Sequence, residues 1–377
     1  MRLFFIIITL LIGFNSNSFG KDYENTTKFN ASVGDLRYFF DKESKKAVVI
    51  GLDDPTTKYL SISGGDITFE GITYQVDSIG DGAFDETNLV EVSFGSGIRS
   101  IGKRAFEDCP NLRTILMESI KIIDEYAFAR CPKLQNFDFS DIMFVGPFAF
   151  YKCKSLTEVF FPVGVVWIGE SAFQECENLT NVVMYKAVQA IYKNAFKNCK
   201  SLTDIVLPDN LKEISEGVFW GCVKLKELFI PIGVTTISND AFNGCKSLSS
   251  LSFPHTIKEL GSGIIRGCSN LKELNCSMNP PTEVKGDTFN SENYRNTELI
   301  VLSEALEKYK SAKYWSMFYK ISTLTSTPSA VKNIPKNIEI DEMYSVGGIR
   351  NGNSNIKILK KSDGTTIKYI KKCLVLK

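Results

Sequence analysis

The residue type at position 168 returns at an almost fixed interval through most of this chain. The stretch Ile168-Gly169-Glu170-Ser171-Ala172-Phe173-Gln174-Glu175-Cys176-Glu177-Asn178-Leu179, followed by Val182 and Met184, is one copy of the pattern I-G-x-x-A-F-x-x-C-x-x-L-x-x-[IV]-x-[FLM]. Its opening residue recurs at Ile79, Ile101, Ile123, Val145, Ile168, Ile191, Ile214, Ile237 and Leu260, so successive copies start 22 or 23 residues apart. A register that slips by no more than one residue over nine copies is incompatible with a core that has a single centre. Each copy is one coil, unable to bury its own apolar face, and stacking joins the faces into one continuous core.

Every repeated position has a physical task. The aromatic column runs Phe84, Phe106, Phe128, Phe150, Phe173, Phe196, Phe219 and Phe242, and ends in Ile265. A small residue precedes most of these, as in Ala105, Ala127 and Ala172, so each ring can lie over its neighbour's backbone without overpacking. Leu89, Leu112, Leu134 and their later equivalents form the next column, and alternating pairs such as Val92/Phe94 and Ile205/Leu207 mark a short strand with one face inward. Pro162, Pro208, Pro231 and Pro254 stop that strand where a missing N–H does least harm. The expected fold class is an α/β repeat solenoid, with one short parallel strand per coil joined into one sheet over residues 89 to 276.

The period, the leucines and the strand alternation are those of a leucine-rich repeat, and the full unit, I-G-x-x-A-F-x-x-C-x-x-L-x-x-[IV]-x-[LF]-P, resembles the BspA-type leucine-rich repeat. The resemblance covers residues 79 to 276. It implies a curved, right-handed solenoid, exported from a bacterium and often adhesive towards host proteins or other bacteria, and it implies no catalytic residues.

Met1-Arg2, the apolar run Leu3 to Phe14, and small residues at Ser18 and Gly20 read as a signal peptide over residues 1–20, cleaved after Gly20. The run is too short to span a bilayer, so the mature chain has no transmembrane span. With no Cys after the run, a lipid anchor is not expected. Cleavage removes Arg2 alone, taking 44 Lys+Arg to 43 against 43 Asp+Glu. A neutral chain gives no argument for nucleic acid. Secretion or display on the surface of a Gram-negative outer membrane is the expected localisation.

Residues 21–78 read as a β-rich N-terminal cap containing two hairpins. Asp35 to Phe40 pairs with Lys46 to Ile50, and Ile67 to Phe69 with Ile72 to Val76 across Glu70-Gly71. Residues 277–322 read as a helical C-terminal cap. There Ser303 opens a helix whose Ala305, Tyr309, Ala312, Trp315 and Tyr319 share one face. Residues 323–337 are a polar linker. In residues 338–377, Tyr344 to Val346, Ile356 to Leu359 and Ile367 to Ile370 read as three strands. This tail resembles the C-terminal sorting signals of exported Bacteroidetes proteins, although it ends Cys373-Leu374-Val375-Leu376-Lys377.

Ten cysteines in an exported chain suggest disulfides, but eight of them share one column, Cys109 to Cys268, with Thr87 in the first copy. An inward column whose side chains lie side by side reads as a ladder of free thiols acting as small apolar groups. There is no paired Cys-x-x-Cys and only one histidine, His255, on a turn whose other copies carry Val163, Asp209 and Ile232. No phosphate loop, G-x-S-x-G or H-E-x-x-H is present. No enzyme, cofactor or metal is expected.

Binding is expected instead on the outward positions of the sheet, which the resemblance places on the concave side. The residue between the two inward positions reads Ser93, Leu116, Asp138, Phe160, Val183, Val206, Phe229, Ser252 and Asn275. Two residues earlier stand Glu158, Asn181, Asp204 and Glu227 in the middle coils. An apolar stripe of Phe160, Val183, Val206 and Phe229 beside an acid-rich one suits a protein ligand, host or bacterial. A glycan ligand is the alternative, and a structural spacer without a ligand the third reading.

Overall fold

The computed structural model describes residues 28–323 except 136 and 186, and the backbone of the strands Tyr344–Ser345, Ser354–Lys360 and Thr366–Lys372. The expected signal peptide, its cleavage site and nearly all of the linker lie outside these residues. Contacts divide the chain after Ser322, into Met1–Ser322 and Thr323–Lys377.

In the first unit each repeat is one coil, and the phenylalanine column sets its core. Phe84 to Phe242 are fully buried. Their rings stack coil on coil at 4.9 to 6.1 Å with interplanar angles of 27° or less. The small residue before each ring leaves its carbonyl free for the previous coil: Phe150 N–H donates to Ala172, and Phe173 N–H to Ala195. Two residues per coil make this possible by adopting left-handed backbone. One is the column Arg104, Tyr126, Phe148, Ser171, Asn194, Gly217 and Asp240. The other is Asp108, Arg130, Lys152, Glu175, Asn198, Gly221 and Gly244, all with φ between 53° and 74°. With that geometry alternate N–H groups point along the solenoid, so Ser171, Phe173 and Glu175 donate to Lys193, Ala195 and Lys197.

The cysteine column completes the same corner. Among the described residues all nine cysteines are free and buried. Each column thiol donates to the phenylalanine carbonyl of the preceding coil, for example Cys176 Sγ to Phe150 at 3.2 Å and Cys199 Sγ to Phe173 at 3.2 Å. Thr87, in the first copy, instead donates to the Phe84 carbonyl of its own coil at 2.8 Å, the same carbonyl that Cys109 reaches from the next coil. The column therefore selects a small side chain with a weak donor.

Strand pairing departs from one sheet with one strand per coil. Two parallel ladders form. The first, in three pieces, uses expected segments and adds Tyr59–Ile62, Glu298–Val301 and Ile321–Thr323 outside the expected range: Tyr59–Ile62, Glu91–Phe94 and Thr114–Leu116; then Glu158–Phe160, Asn181–Val183 and Asp204–Ile205; then Ser250–Phe253, Glu273–Cys276, Glu298–Val301 and Ile321–Thr323. The second uses two-residue strands at each repeat start, from Ser100–Ile101 to Ala190–Ile191 and from Glu213–Ile214 to Glu259–Leu260. Ile168 and its equivalents turn inward there while the preceding residue turns out. A two-residue strand is too short to show alternation, which is why the repeat pattern conceals this ladder.

At the N-terminal end β1 (Lys28–Val33), β2 (Leu36–Asp41) and β3 (Lys46–Leu52) are antiparallel neighbours, and β5 (Gly65–Phe69) pairs with β6 (Ile72–Ile79). Glu70 and Gly71 turn that last hairpin with φ of 50° and 75°, as a two-residue turn with positive φ at both positions requires. β3 and β6 pair in parallel and β6 continues into the second ladder. Between the hairpins β4 (Tyr59–Ile62) is already a rung of the first ladder, through its pairing with Glu91–Phe94.

The repeat pattern ends at Cys276, but the first ladder does not. Glu273–Cys276 pairs in register with Glu298–Val301. The single helix expected from Ser303 is broken. A 3-10 turn at Ser303–Ala305, the helix Leu306–Ser311 and a 3-10 turn at Trp315–Met317 replace it, because the chain extends at Ala312 and turns left-handed at Tyr314 (φ 67°). A further helix, Ser291–Asn296, starts at Asn290 with a reciprocal side-chain cap to Asn293. Tyr309 and Trp315 are nevertheless buried, and Trp315 Nε1 donates to the Thr282 carbonyl at 2.7 Å.

In the second unit Tyr344–Ser345 pairs antiparallel with Ser354–Lys360, which pairs antiparallel with Thr366–Lys372.

Candidate functional site

The middle piece of the first ladder holds most of the candidate stripe. Glu158, Asn181 and Asp204 are directly in register, as are Val159, Val182 and Ile205, and Phe160 faces Val183. Val159, Val182 and Ile205 point into the core, so alternation leaves the flanking residues outward. Phe160, Val183 and Asn181 are half-buried, while Glu158, Asp204 and Glu227 are exposed. Val206, just past its strand, is 50% exposed, and Phe229 is 40% exposed.

The stripe is not one uninterrupted strip of sheet. Phe229 forms an isolated bridge with Ser252, on the C-terminal side, so Phe229 and Glu227 belong with the next piece of ladder. Earlier in the chain, Phe137 and Phe139 pack against the rings of Phe128, Phe150 and Phe161, and the described strands of this ladder resume at Glu158–Phe160. The candidate face is thus the middle piece plus the first coil of the next. Beyond the strand ends, Val163 and Ile232 stand 64% and 60% exposed on the proline turns and widen the apolar edge. The turn column, compared copy by copy, carries that signal.

Some acids on the coil flanks are neutralised across coils, as in Lys193–Glu216 at 2.7 Å, Lys103–Glu125 at 3.8 Å, and Glu177 between Lys154 and Lys200 at 3.4 Å each. Burial pushes the Glu177 carboxyl up, but the two lysines outweigh it and hold the group below its ordinary range. Among the described residues no ion pair engages Glu158, Asp204 or Glu227. Glu158 and Asp204 stand two rungs apart, about 10 Å, with Asn181 between them. A positively charged partner would meet carboxylates that no described ion pair neutralises.

A second acidic group is differently occupied. Oxygens of Asp85, Glu107 and Asp108 lie within 4.8 Å of one another. Arg130 donates to Glu107 at 2.7 Å and to Asp108 at 2.6 Å, and Arg104 approaches Glu107 at 3.3 Å. Hydrogen bonding from Arg130 holds the Asp108 carboxyl below its usual range. Two guanidinium groups fill the position a cation would take. His255 is exposed on its turn, and no hydrogen bond engages it among the described residues.

The repeat has counterparts in known proteins. A family model described as BspA type leucine rich repeat region matches residues 65–165, 140–246 and 212–338, in six copies. The chain belongs to the BspA-type leucine-rich-repeat family. The match extends past Cys276, where the first ladder also continues. A leucine-rich repeat protein of Bacteroides ovatus is similar at 26% identity and a TM-score of 0.64, over 78% of this chain and 77% of that one. A leucine rich cell surface protein of Faecalibacterium prausnitzii shares the fold at 20% identity and a TM-score of 0.52, over 80% of this chain and 97% of that one. No curated protein gives a match. No helix of the described BspA-type chain is long and apolar enough to cross a membrane.

Proposed function

We propose that this protein is an exported binding module that captures a protein ligand on its first ladder. Phe160, Val183, Val206 and Phe229 form the apolar centre, flanked by Asn181, and Glu158, Asp204 and Glu227 attract a basic partner. The observation that carries this reading is a juxtaposition on one face of the sheet: acids that no ion pair engages among the described residues stand beside exposed apolar side chains.

Several further readings complete the proposal. Residues 1–20 direct export and are removed after Gly20. Residues 21–78 and 277–322 close the ends of a right-handed, curved solenoid whose concave side is the first ladder. Residues 338–377 direct the protein to the cell surface. Glycan capture is less well served, since the stripe offers no tryptophan or tyrosine platform.

The test uses the exported chain immobilised against surface extracts of host and bacterial cells, followed by kinetics on the captured protein. Apolar anchors govern dissociation and rim charges govern association. Phe160→Ser with Phe229→Ser should raise Kd by a factor of about 30 or more, mainly through dissociation. Glu158→Lys with Asp204→Lys should slow association and flatten its salt dependence. Unchanged binding in both variants refutes the assignment of this face.

A further inference from the structure

The corner that bears the cysteine column carries a patch whose charge is all of one sign. After the column phenylalanine most coils run x-x-C-x-x-L, and from Phe196 onward the four x positions of each coil are half-buried or exposed. In the coils of Phe106 to Phe173 these positions mix signs and their cations meet carboxylates: Arg130 with Glu107 and Asp108, Lys152 with Glu175, and Lys154 with Glu177. In the next four coils, up to Leu271, the same positions hold Lys197, Lys200, Lys224, Lys246 and Arg266 and no carboxylate. Lys200 reaches back to Glu177 at 3.4 Å, and among the described residues no ion pair engages the other four. Nearby carboxylates are engaged elsewhere, Glu216 by Lys193 at 2.7 Å and Asp240 by Asn243 Nδ2 at 2.9 Å. Trp220 stands in the middle of this patch, 37% exposed, with Lys197 Nζ 4.0 Å from its ring centre. Gly217, Gly221 and Gly244 surround it with bare backbone, and a Cβ on Gly217 would come within 3.7 Å of the ring.

Three features of the patch specify what fits it. Cations on four successive coils, at about 5 Å per coil, call for a ligand whose negative charge is spread along its length. An exposed indole has an electron-rich face, on which the C–H face of a sugar ring packs well. Asn198, Ser201, Asn243 and Ser247 set amides and hydroxyls between the cations, as a hydroxyl-rich ligand requires. A peptide is poorly served here. Trp220 is the one large exposed apolar side chain at these positions, and the N–H groups of Gly221 and Gly244 already donate to Asn243 and Arg266. We infer that this corner binds an acidic polysaccharide, whose sugars carry carboxylate or sulfate groups, laid along the four coils. One sugar ring rests on Trp220, and the acid groups meet Lys197, Lys224, Lys246 and Arg266. The site shares no residue with the first-ladder face.

Calorimetric titration of the exported chain tests this, with circular dichroism of each variant as the check on folding. The probes are heparin, which is sulfated, polygalacturonate, which is carboxylated only, uncharged dextran and double-stranded DNA, each at about 50 and about 200 mM salt. At least one of the two acidic polysaccharides should bind, and the preference between them identifies the acid group the site takes. Dextran should not bind. Trp220→Ala should weaken binding about tenfold and leave its salt dependence unchanged. Lys197→Gln with Lys246→Gln should weaken it and flatten the salt dependence. Lys212→Gln with Lys258→Gln, an equal loss of charge from exposed positions away from this corner, should change nothing. If Trp220→Ala misfolds, the two lysine pairs give the result. Failure to bind either acidic polysaccharide overturns the proposal. So does binding weakened alike by both lysine pairs, or indifferent to Trp220→Ala in a folded variant, since either marks a general attraction to polyanions. DNA binding as tight as that of the polysaccharides overturns it too, and would assign the patch to nucleic acid.

Discussion

The buried thiols make alkaline pH the most revealing perturbation. Burial raises the thiols of Cys131, Cys153, Cys176, Cys199, Cys222, Cys245 and Cys276, with Cys153 pushed up to about 12. Cys109 goes the other way, lowered by hydrogen bonding with Cys131, and is left out of the count. A thiol raised in the fold holds its proton where the unfolded chain has lost it. Its stabilising contribution is therefore complete below the unfolded value and is lost as pH rises towards the folded one. With unfolded thiols titrating near 8.5–9, moving from about pH 8 to about pH 10 costs about 1.5 kcal/mol per thiol. Seven thiols give about 10 kcal/mol, comparable to the whole stability of a typical domain. Urea unfolding followed by circular dichroism, under reducing conditions at stepped pH, should show stability falling steeply above about pH 8.5. Absorbance from the seven raised thiols should rise only with loss of structure. Replacing Cys153, Cys176 and Cys199 by Ala should remove about 4–5 kcal/mol of that fall, although the variant is less stable at neutral pH. Two results refute the reasoning: a triple variant with the pH dependence of the parent, or ionisation of Cys153, Cys176 and Cys199 while the fold stays intact.

Three shorter predictions follow from other features. Phe173 is fully buried between Phe150 at 5.2 Å and Phe196 at 5.7 Å, so Phe173→Ala should lower unfolding free energy by about 3–5 kcal/mol in urea titrations. Gly244 has φ 74° and a Cβ there would meet only the Gly221 backbone at 3.7 Å, so Gly244→Ala should cost about 1 kcal/mol of left-handed strain and Gly244→Asn less, by the same assay. Deleting residues 338–377 should leave thermal unfolding of the repeats unchanged and remove the protein from the cell surface, read by surface labelling of intact cells.

The sequence displays what recurs at long range and conceals what is local. Phe173, Cys176, Leu179 and Val182 identify their columns because nine copies repeat them, and burial follows the same columns. The second ladder stayed hidden because Trp167-Ile168 is only two residues long. The ring contacts of Phe137 and Phe139 depend on neighbours in three dimensions. The helix expected from Ser303 failed at Tyr314, whose left-handed backbone breaks a face that spacing alone made continuous. The outward residues of the candidate face could be read from alternation. That Phe229 bridges to Ser252, and that Glu177 is held between two lysines, required coordinates.

The left-handed corners have a consequence for how the repeats hold together along their length. From Arg104 to Glu175 those corners fall mainly on side chains that resist the geometry, including Arg104, Tyr126, Arg130, Phe148 and Lys152. From Asn194 to Gly267 they fall on asparagine, aspartate and glycine. A branched or long residue there costs about 1–2 kcal/mol, partly returned where Tyr126 and Phe148 stack at 4.6 Å. In an array whose coils touch only their neighbours, such costs accumulate locally. The C-terminal coils should therefore exchange their amide hydrogens most slowly and order first when the chain folds. The coils bearing Tyr126 and Phe148 are where the stack should open first.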